Sequence, residues 1–148
     1  MRVMAVDHGS ARTGLAVSDQ NAALVGEAWV LSGVGVRQLK AEAQVIVNEA
    51  ISREVDVIVV GHPKNMDGSE GPSAEKSSEL AEMVREQCGN GTRNIEVVLW
   101  DERLTTVSAH KILSDAGVYR KKRKNTVDAV AASLILEGYL QYIRSHQQ

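Results

Sequence analysis

Three carboxylates stand where the sequence predicts that secondary-structure elements begin or end. Asp7 ends an apolar run that starts at Val3, Glu102 follows another apolar run, and Asp128 lies near the start of the last predicted helix. Carboxylates that share a cleft repel one another unless a cation lies between them. Oxygen ligands of this kind suit Mg²⁺ or Mn²⁺, and two such ions, typically ~3.5–4 Å apart, can support phosphodiester cleavage.

Each of these acids also has an ordinary structural explanation. Asp7 can be a turn residue that accepts backbone N–H groups, and Glu102 can be a surface carboxylate paired with Arg103. Asp128, predicted in the first turn of a helix, would be favoured there by the helix dipole. Asp101 and Glu102 are adjacent on a predicted strand, so only one of them can face Asp7.

Basic residues supply candidate contacts to phosphate groups. Up to residue 102 the chain carries 16 acidic and 9 basic residues, whereas the rest carries 3 acidic and 8 basic. Such an asymmetry suits a polyanion held against metal ions, although a basic run can also be a solvated loop. The candidates for nucleic-acid binding are Arg12, Lys64, Arg103, Arg120, Lys121, Lys122, Arg123 and Lys124.

The predicted elements would bring the acids to one edge of a sheet. Apolar patterning predicts strands near residues 2–7, 14–18, 23–31, 55–60 and 95–100, and helices near 36–53, 73–88, 105–116 and 126–143, with Ser73 as an N-cap. This order predicts an α/β fold: a five-stranded mixed sheet, with an antiparallel meander and two parallel strands, flanked by helices. Ligands of such sheets bind at the carboxyl ends of the parallel strands. Asp7, a loop over 61–73 and Asp101–Arg103 all fall at that edge.

The length and composition narrow the class of protein. A chain of 148 residues is expected to form one domain, 1–148. The single cysteine, Cys88, excludes an internal disulfide and a Cys-based zinc site, and we expect it in the core. We see neither a signal-peptide pattern nor an apolar run long enough to cross a bilayer, and we therefore expect a cytoplasmic protein.

Four motifs follow one another along the chain. They are Val6-Asp-His-Gly-Ser-Ala-Arg-Thr-Gly14, Val60-Gly-His-Pro-Lys-Asn-Met-Asp-Gly-Ser-Glu-Gly-Pro72, Asp101-Glu-Arg-Leu-Thr-Thr106 and Lys124-Asn-Thr-Val-Asp-Ala-Val-Ala-Ala132. Together they resemble the YqgF family, also called RuvX, of Holliday junction resolvases and pre-16S ribosomal RNA nucleases. The resemblance implies a ribonuclease H-like fold and assigns the family's three acids to Asp7, Glu102 and Asp128. His62 stands where the family usually has leucine.

Several functions remain open at this point. The leading hypothesis is a metal-dependent endonuclease for structured RNA, in which case pre-ribosomal particles would be partners. The alternative is the same chemistry on a four-way DNA junction, whose two-fold symmetry favours a homodimer over a monomer. Asp7 and Gly9 also resemble the phosphate loop of the sugar kinase and actin fold, although that fold needs two such domains. A non-catalytic nucleic-acid-binding module is the remaining hypothesis.

Overall fold

The computed structural model describes residues 1–9, 12–31, 38–91, 93–104 and 124–146, with the side chains of the last helix from residue 129 onward. Its strands are β1 (Val3–His8), β2 (Thr13–Ser18), β3 (Val25–Leu31), β4 (Val57–His62) and β5 (Glu96–Asp101). Its helices are α1 (Leu39–Ser52), α2 (Pro72–Gly89) and α3 (Lys124–Ser145), and a 3-10 turn, Glu102–Leu104, follows β5. The helix predicted over 105–116 and the basic residues Arg120, Lys121, Lys122 and Arg123 lie outside the described residues.

The five strands form one mixed sheet in the order β3-β2-β1-β4-β5. β1, β2 and β3 pair in antiparallel fashion, whereas β4 pairs in parallel with both β1 and β5. This arrangement confirms the predicted meander with two further parallel strands. Because β1 and β4 lie inside the sheet, their continuous apolar runs are covered on both faces.

Helices cover the two faces of the sheet and divide the core in two. Met4 and Val6 of β1 belong to the hydrophobic cluster that includes α1 and α2. Val3 and Ala5 belong to the cluster that includes α3. Because successive strand residues point to opposite faces, this alternation identifies the face on which each later residue of β1 lies. Cys88 is buried in the first cluster, as predicted.

Several element boundaries differ from the prediction. The N-cap of α2 is Gly71, in an extended backbone conformation, so the predicted N-cap at Ser73 is wrong. Pro72 explains the difference, because its fixed φ and missing N–H suit the first position of a helix. α3 begins at Lys124, which makes Asp128 its fifth residue rather than a member of its first turn. The helix dipole is therefore a weaker explanation for that acid, because its effect falls off within one turn.

None of the helices in the described part of the chain has both the length and the hydropathy to span a bilayer.

Candidate active site

Asp7 lies near the carboxyl end of β1 between two glycines. Its partner on the antiparallel strand β2 is Gly14. On the parallel side, Val6 pairs with Val60, so the next residue along β4 is Gly61. Alternation along β1 puts Asp7 on the face of the sheet that α3 covers. The positions beside Asp7 on both neighbouring strands are therefore glycines.

Glu102 reaches back over Gly61 from the 3-10 turn after β5. A Cβ atom at Gly61 would lie 2.8 Å from Glu102 Oε2 and 2.6 Å from Ile135 Cδ1 of α3. Both separations are shorter than real Cβ contacts allow. The missing side chain at Gly61 thus leaves the space that the carboxylate of Glu102 and the tip of Ile135 occupy together.

The electrostatics of Glu102 link it to Asp7. Burial, together with the negative charges of Asp7 and Asp101, raises the pKa of Glu102 to about 7. Two ionised carboxylates in this position would repel each other, and a bound cation would relieve the repulsion. Carboxylate oxygens are the ligands that Mg²⁺ and Mn²⁺ prefer, so the chemistry of the site fits a hard divalent cation.

Asp101 has a different role, because Arg103 holds it. Arg103 Nη2 lies 2.6 Å from Asp101 Oδ2, and Arg103 Nε donates to the same carboxylate at 3.0 Å. These hydrogen bonds keep the pKa of Asp101 below its usual value. The surface pair suggested for Glu102 and Arg103 is thus formed by Asp101 instead. Arg103 Nη1 also donates to the backbone oxygen of Met66 at 3.3 Å, which ties the 61–73 loop to this edge.

A second contact fixes the 61–73 loop on the side of β4 and α2. His62 is buried at the end of β4, and its Nε2 lies 2.6 Å from Glu70 Oε1 and 3.2 Å from Ser78 Oγ of α2. Lys64 follows two residues later and is partly buried. Its positive charge makes a small contribution to lowering the pKa of Asp101.

Arg12 closes the hairpin turn that follows Asp7. Its backbone oxygen accepts a hydrogen bond from the N–H of Gly9 at 2.9 Å. A Cβ atom at Gly9 would lie 2.5 Å from that oxygen, so the turn requires glycine there. Arg12 is partly buried and directly precedes β2, on the same edge of the sheet as Asp7.

Asp128 lies in α3, where the structure describes the backbone of the first turns and not the side chains. Its position is four residues before Ala132 and seven before Ile135, which are both buried against the sheet. This spacing puts position 128 on the sheet-facing side of the helix. Lys124 is the first residue of α3, and Arg120, Lys121, Lys122 and Arg123 lie outside the described residues.

Among the described residues, no group of three or more His, Cys, Asp or Glu side chains is close enough to hold a metal ion. Asp7 does lie close enough to Glu102 to affect its pKa, and Arg12, Lys64 and Arg103 lie at the same edge of the sheet.

Sequence reasoning missed three residues near this edge: Gly61, Thr13 and Glu42. Glu42 offered a signal, because it falls between Leu39 and Ile46 on the otherwise apolar face of α1.

The chain matches the sequence model of the RuvX family, described as Holliday junction resolvase, over residues 1–142. A relative from Halothermothrix orenii, named "Putative pre-16S rRNA nuclease", is 42% identical over 143 residues, which cover 96% of each chain. One of the same name from Desulfitobacterium hafniense is 41% identical over 147 residues, covering 97% of this chain and 94% of that one.

Two solved structures share the fold. RuvC of Thermus thermophilus, in complex with a Holliday junction substrate, superposes with a TM-score of 0.56 at 16% identity and 96% coverage of both chains. The yeast mitochondrial Holliday junction resolvase Ydc2 gives a TM-score of 0.52 at 11% identity, covering 97% of this chain and 83% of that one. This likeness confirms the ribonuclease H-like fold predicted from the sequence.

Proposed function

The chain belongs to the RuvX family of nucleases, and we propose that it is a divalent-metal-dependent endonuclease in the 5′-end maturation of pre-16S ribosomal RNA. The observation that carries this proposal is the carboxylate of Glu102, held over Gly61 and close enough to Asp7 for the two charges to interact. The names of the relatives support the substrate.

Asp7, Glu102 and Asp128 would hold Mg²⁺ or Mn²⁺ as all-oxygen ligands. When bound, such ions supply an activated water and stabilise the charge that develops on the leaving oxygen. Glu102 is positioned by the absence of a side chain at Gly61, and Asp7 by its place in the sheet. Asp128 would complete the site from α3, on the face of the helix that packs against the sheet.

Basic residues around the acids would hold the sugar-phosphate backbone. Arg12 and Lys64 lie on the same edge of the sheet as Asp7. Arg103 is engaged with Asp101, but a guanidinium has five N–H donors and can hold a carboxylate while it donates to a phosphate. The run of basic residues from Arg120 to Lys124 would extend this contact surface. Contacts of this kind give affinity without sequence preference.

We also propose that residues 1–148 act as one domain. The single sheet and the two hydrophobic clusters on its faces support this proposal. Maturation of ribosomal RNA would place the protein in the cytoplasm, with pre-ribosomal particles as partners. Because all three proposed ligands come from one chain, a monomer would suffice for RNA cleavage.

A four-way DNA junction is the second candidate substrate. The description of the family and the shared fold with RuvC favour it. A homodimer would then be expected, because a junction has two-fold symmetry and is cut on two strands.

One experiment separates the two substrates. The purified protein is incubated with Mn²⁺ and either a pre-16S RNA carrying its 5′ extension or a four-way DNA junction, and its oligomeric state is measured by sedimentation. We expect a monomer that shortens the RNA at its 5′ end and leaves the junction intact. Cleavage of the junction alone, by a dimer, would favour the second candidate. No cleavage of either substrate, with Mn²⁺ or Mg²⁺, would overturn the proposed function.

A further inference from the structure

A buried polar cluster lies on the opposite face of the sheet from Asp7. His8 Nδ1 is 3.0 Å from Glu42 Oε2, and the two side chains are 4% and 3% exposed. The hydroxyl of Thr13 donates to the other carboxylate oxygen of Glu42 and lies 3.5 Å from His8 Nδ1. Thr13 itself is 2% exposed. Both oxygens of one buried carboxylate therefore contact the same hairpin.

Packing alone does not account for Glu42. The buried face of α1 is otherwise formed by Leu39, Ala43, Ile46, Val47 and Ala50. A carboxylate buried among such residues loses its hydration, and an apolar residue of similar volume is often as stable or more stable in its place. Glu42 Oε2 meets His8 at ion-pair distance but without the alignment of a hydrogen bond, so this contact alone does not explain why α1 carries a carboxylate here.

The placement of the cluster suggests this role. His8 ends β1 directly after Asp7, and Thr13 begins β2 directly after Arg12. His8 and Thr13 face each other across the strand pair, so Glu42 contacts both ends of the turn between them. Glu42 thereby connects α1, which is anchored in the core, to the end of the hairpin that carries Asp7 and Arg12.

We propose that Glu42 is a positioning residue of the nuclease site. Through His8 and Thr13 it fixes the end of the β1–β2 hairpin, and so holds Asp7 at a constant position relative to Glu102 on the other side of β4. It does not touch the reacting atoms, since His8 and Asp7 point to opposite faces of the strand. The catalytic consequence of this inference rests on the proposed function. The brace, by which we mean the contacts of Glu42 with His8 and Thr13, can be tested without it.

The decisive test compares matched variants at three positions. Glu42→Gln keeps the shape of the side chain and removes its charge, and Glu49→Gln makes the same change at a partly exposed residue of α1. Thr13→Val removes the hydroxyl at similar volume, and Thr13→Ser keeps it. Affinity for Mn²⁺ is measured by calorimetry, RNA cleavage by kcat and KM, and stability by thermal unfolding.

If the brace positions Asp7, only the variants that break it should lose Mn²⁺ affinity and activity. Glu42→Gln and Thr13→Val should each weaken Mn²⁺ binding and lower kcat by about 10-fold, within the range measured for residues that orient metal ligands. KM should change little, and Thr13→Ser and Glu49→Gln should match the parent. If the variants lose thermal stability while Mn²⁺ affinity and kcat stay at parent values, Glu42 is merely structural and the inference is overturned. Should Glu42→Gln fail to fold, the Thr13 pair decides.

A further readout separates this inference from the proposed function. The N–H of Gly9 is hydrogen-bonded to Arg12 across the turn, and its exchange with deuterium reports how firmly the turn is closed. Faster exchange in Thr13→Val than in Thr13→Ser is expected whether or not the protein cuts RNA. Equal exchange in the two variants would overturn the brace. A parent protein that neither binds Mn²⁺ nor cuts would overturn the proposed function and leave the exchange result standing.

Discussion

At the scale of single residues, the site depends on a glycine as much as on its acids. Gly61 is buried in β4, with the end of β1 that carries Asp7 on one side and its partner Trp100 of β5 on the other. The carboxylate of Glu102 and the tip of Ile135 share the volume that a side chain would fill. Because glycine has no side chain, neighbouring groups can approach its backbone closely.

Gly61→Ala should therefore damage the site more than the fold. The new methyl group would displace the carboxylate of Glu102, which is free to rotate more easily than Ile135, a side chain only 2% exposed. Overpacking of this size costs typically 1–3 kcal/mol of unfolding free energy, and we expect about 1 kcal/mol because one neighbour can move. Mn²⁺ affinity by calorimetry should fall at least tenfold. Parent-like Mn²⁺ affinity in Gly61→Ala would show that Glu102 is not held by this contact.

Glu102 should also make the metal-free protein sensitive to pH. Its pKa is about 7 in the folded protein and close to 4.5 in the unfolded chain, so the folded state binds the proton more tightly. The free energy of unfolding should then fall as the pH rises from about 4.5 to about 7. Glu102→Gln cannot ionise and therefore avoids this loss. In EDTA, the melting temperature of the variant minus that of the parent should therefore be larger at pH 8 than at pH 5. A constant difference in melting temperature across that range would contradict the assignment.

At the scale of elements, the loop between β4 and α2 is fastened at two points. Arg103 holds its backbone at Met66, and the buried ring of His62 holds Glu70 near its end. The first contact joins the loop to the segment that carries Glu102. The second joins it to β4 and, through Ser78, to α2. The loop beside the acids is thus positioned by both of its neighbouring elements.

The contact between His62 and Glu70 can be tested by a double-mutant cycle. Glu70→Ala leaves His62 Nε2 with Ser78 as its contact and should cost about 0.5–1.5 kcal/mol of unfolding free energy in urea. In a His62→Leu background the same change should be nearly neutral, because no ring nitrogen is left unpaired. Glu79→Ala, an exposed carboxylate of α2, is the control. Equal effects of Glu70→Ala in both backgrounds would mean that the pair does not fasten the loop.

The elements themselves could be predicted because their signals are local. The continuous apolar run in β4 indicates a strand covered on both faces, and the spacing of Ala43, Ile46 and Ala50 indicates a helix with one buried face. The contact of Glu102 with Gly61 could not be predicted, since it depends on the register of β4 with β5 and on how α3 packs. The sequence placed Asp7 and Glu102 at one edge, but their mutual distance is a property of tertiary structure.

The buried polar cluster of His8, Thr13 and Glu42 could be predicted only in part. Glu42 interrupts an apolar helical face, and this could have marked it as a candidate. Its partners His8 and Thr13 could not be identified, because they come from the other layer of the fold.

At the scale of the whole molecule, the core on the side of α1 and α2 is continuous and aliphatic, and Cys88 reports on it. This thiol is 8% exposed, and burial raises its pKa, which lowers the fraction of reactive thiolate. Its reaction with a disulfide reagent should therefore be slow in buffer and should accelerate with urea in parallel with unfolding followed by circular dichroism. Reaction in buffer at the rate of the urea-unfolded chain would mean that α2 opens independently of the core.

The whole account rests on Asp7 as a metal ligand rather than a turn residue, and one comparison tests this most directly. Cleavage of pre-16S RNA with Mn²⁺ is measured for the parent and for Asp7→Asn, alongside RNA binding by each. Asp19→Asn is the matched control, because Asp19 lies at the opposite end of the hairpin and its Oδ1 accepts hydrogen bonds that an asparagine oxygen can also accept. We expect Asp7→Asn to bind RNA like the parent and to lose cleavage, while Asp19→Asn keeps both. Cleavage by Asp7→Asn at the parent rate would contradict the account.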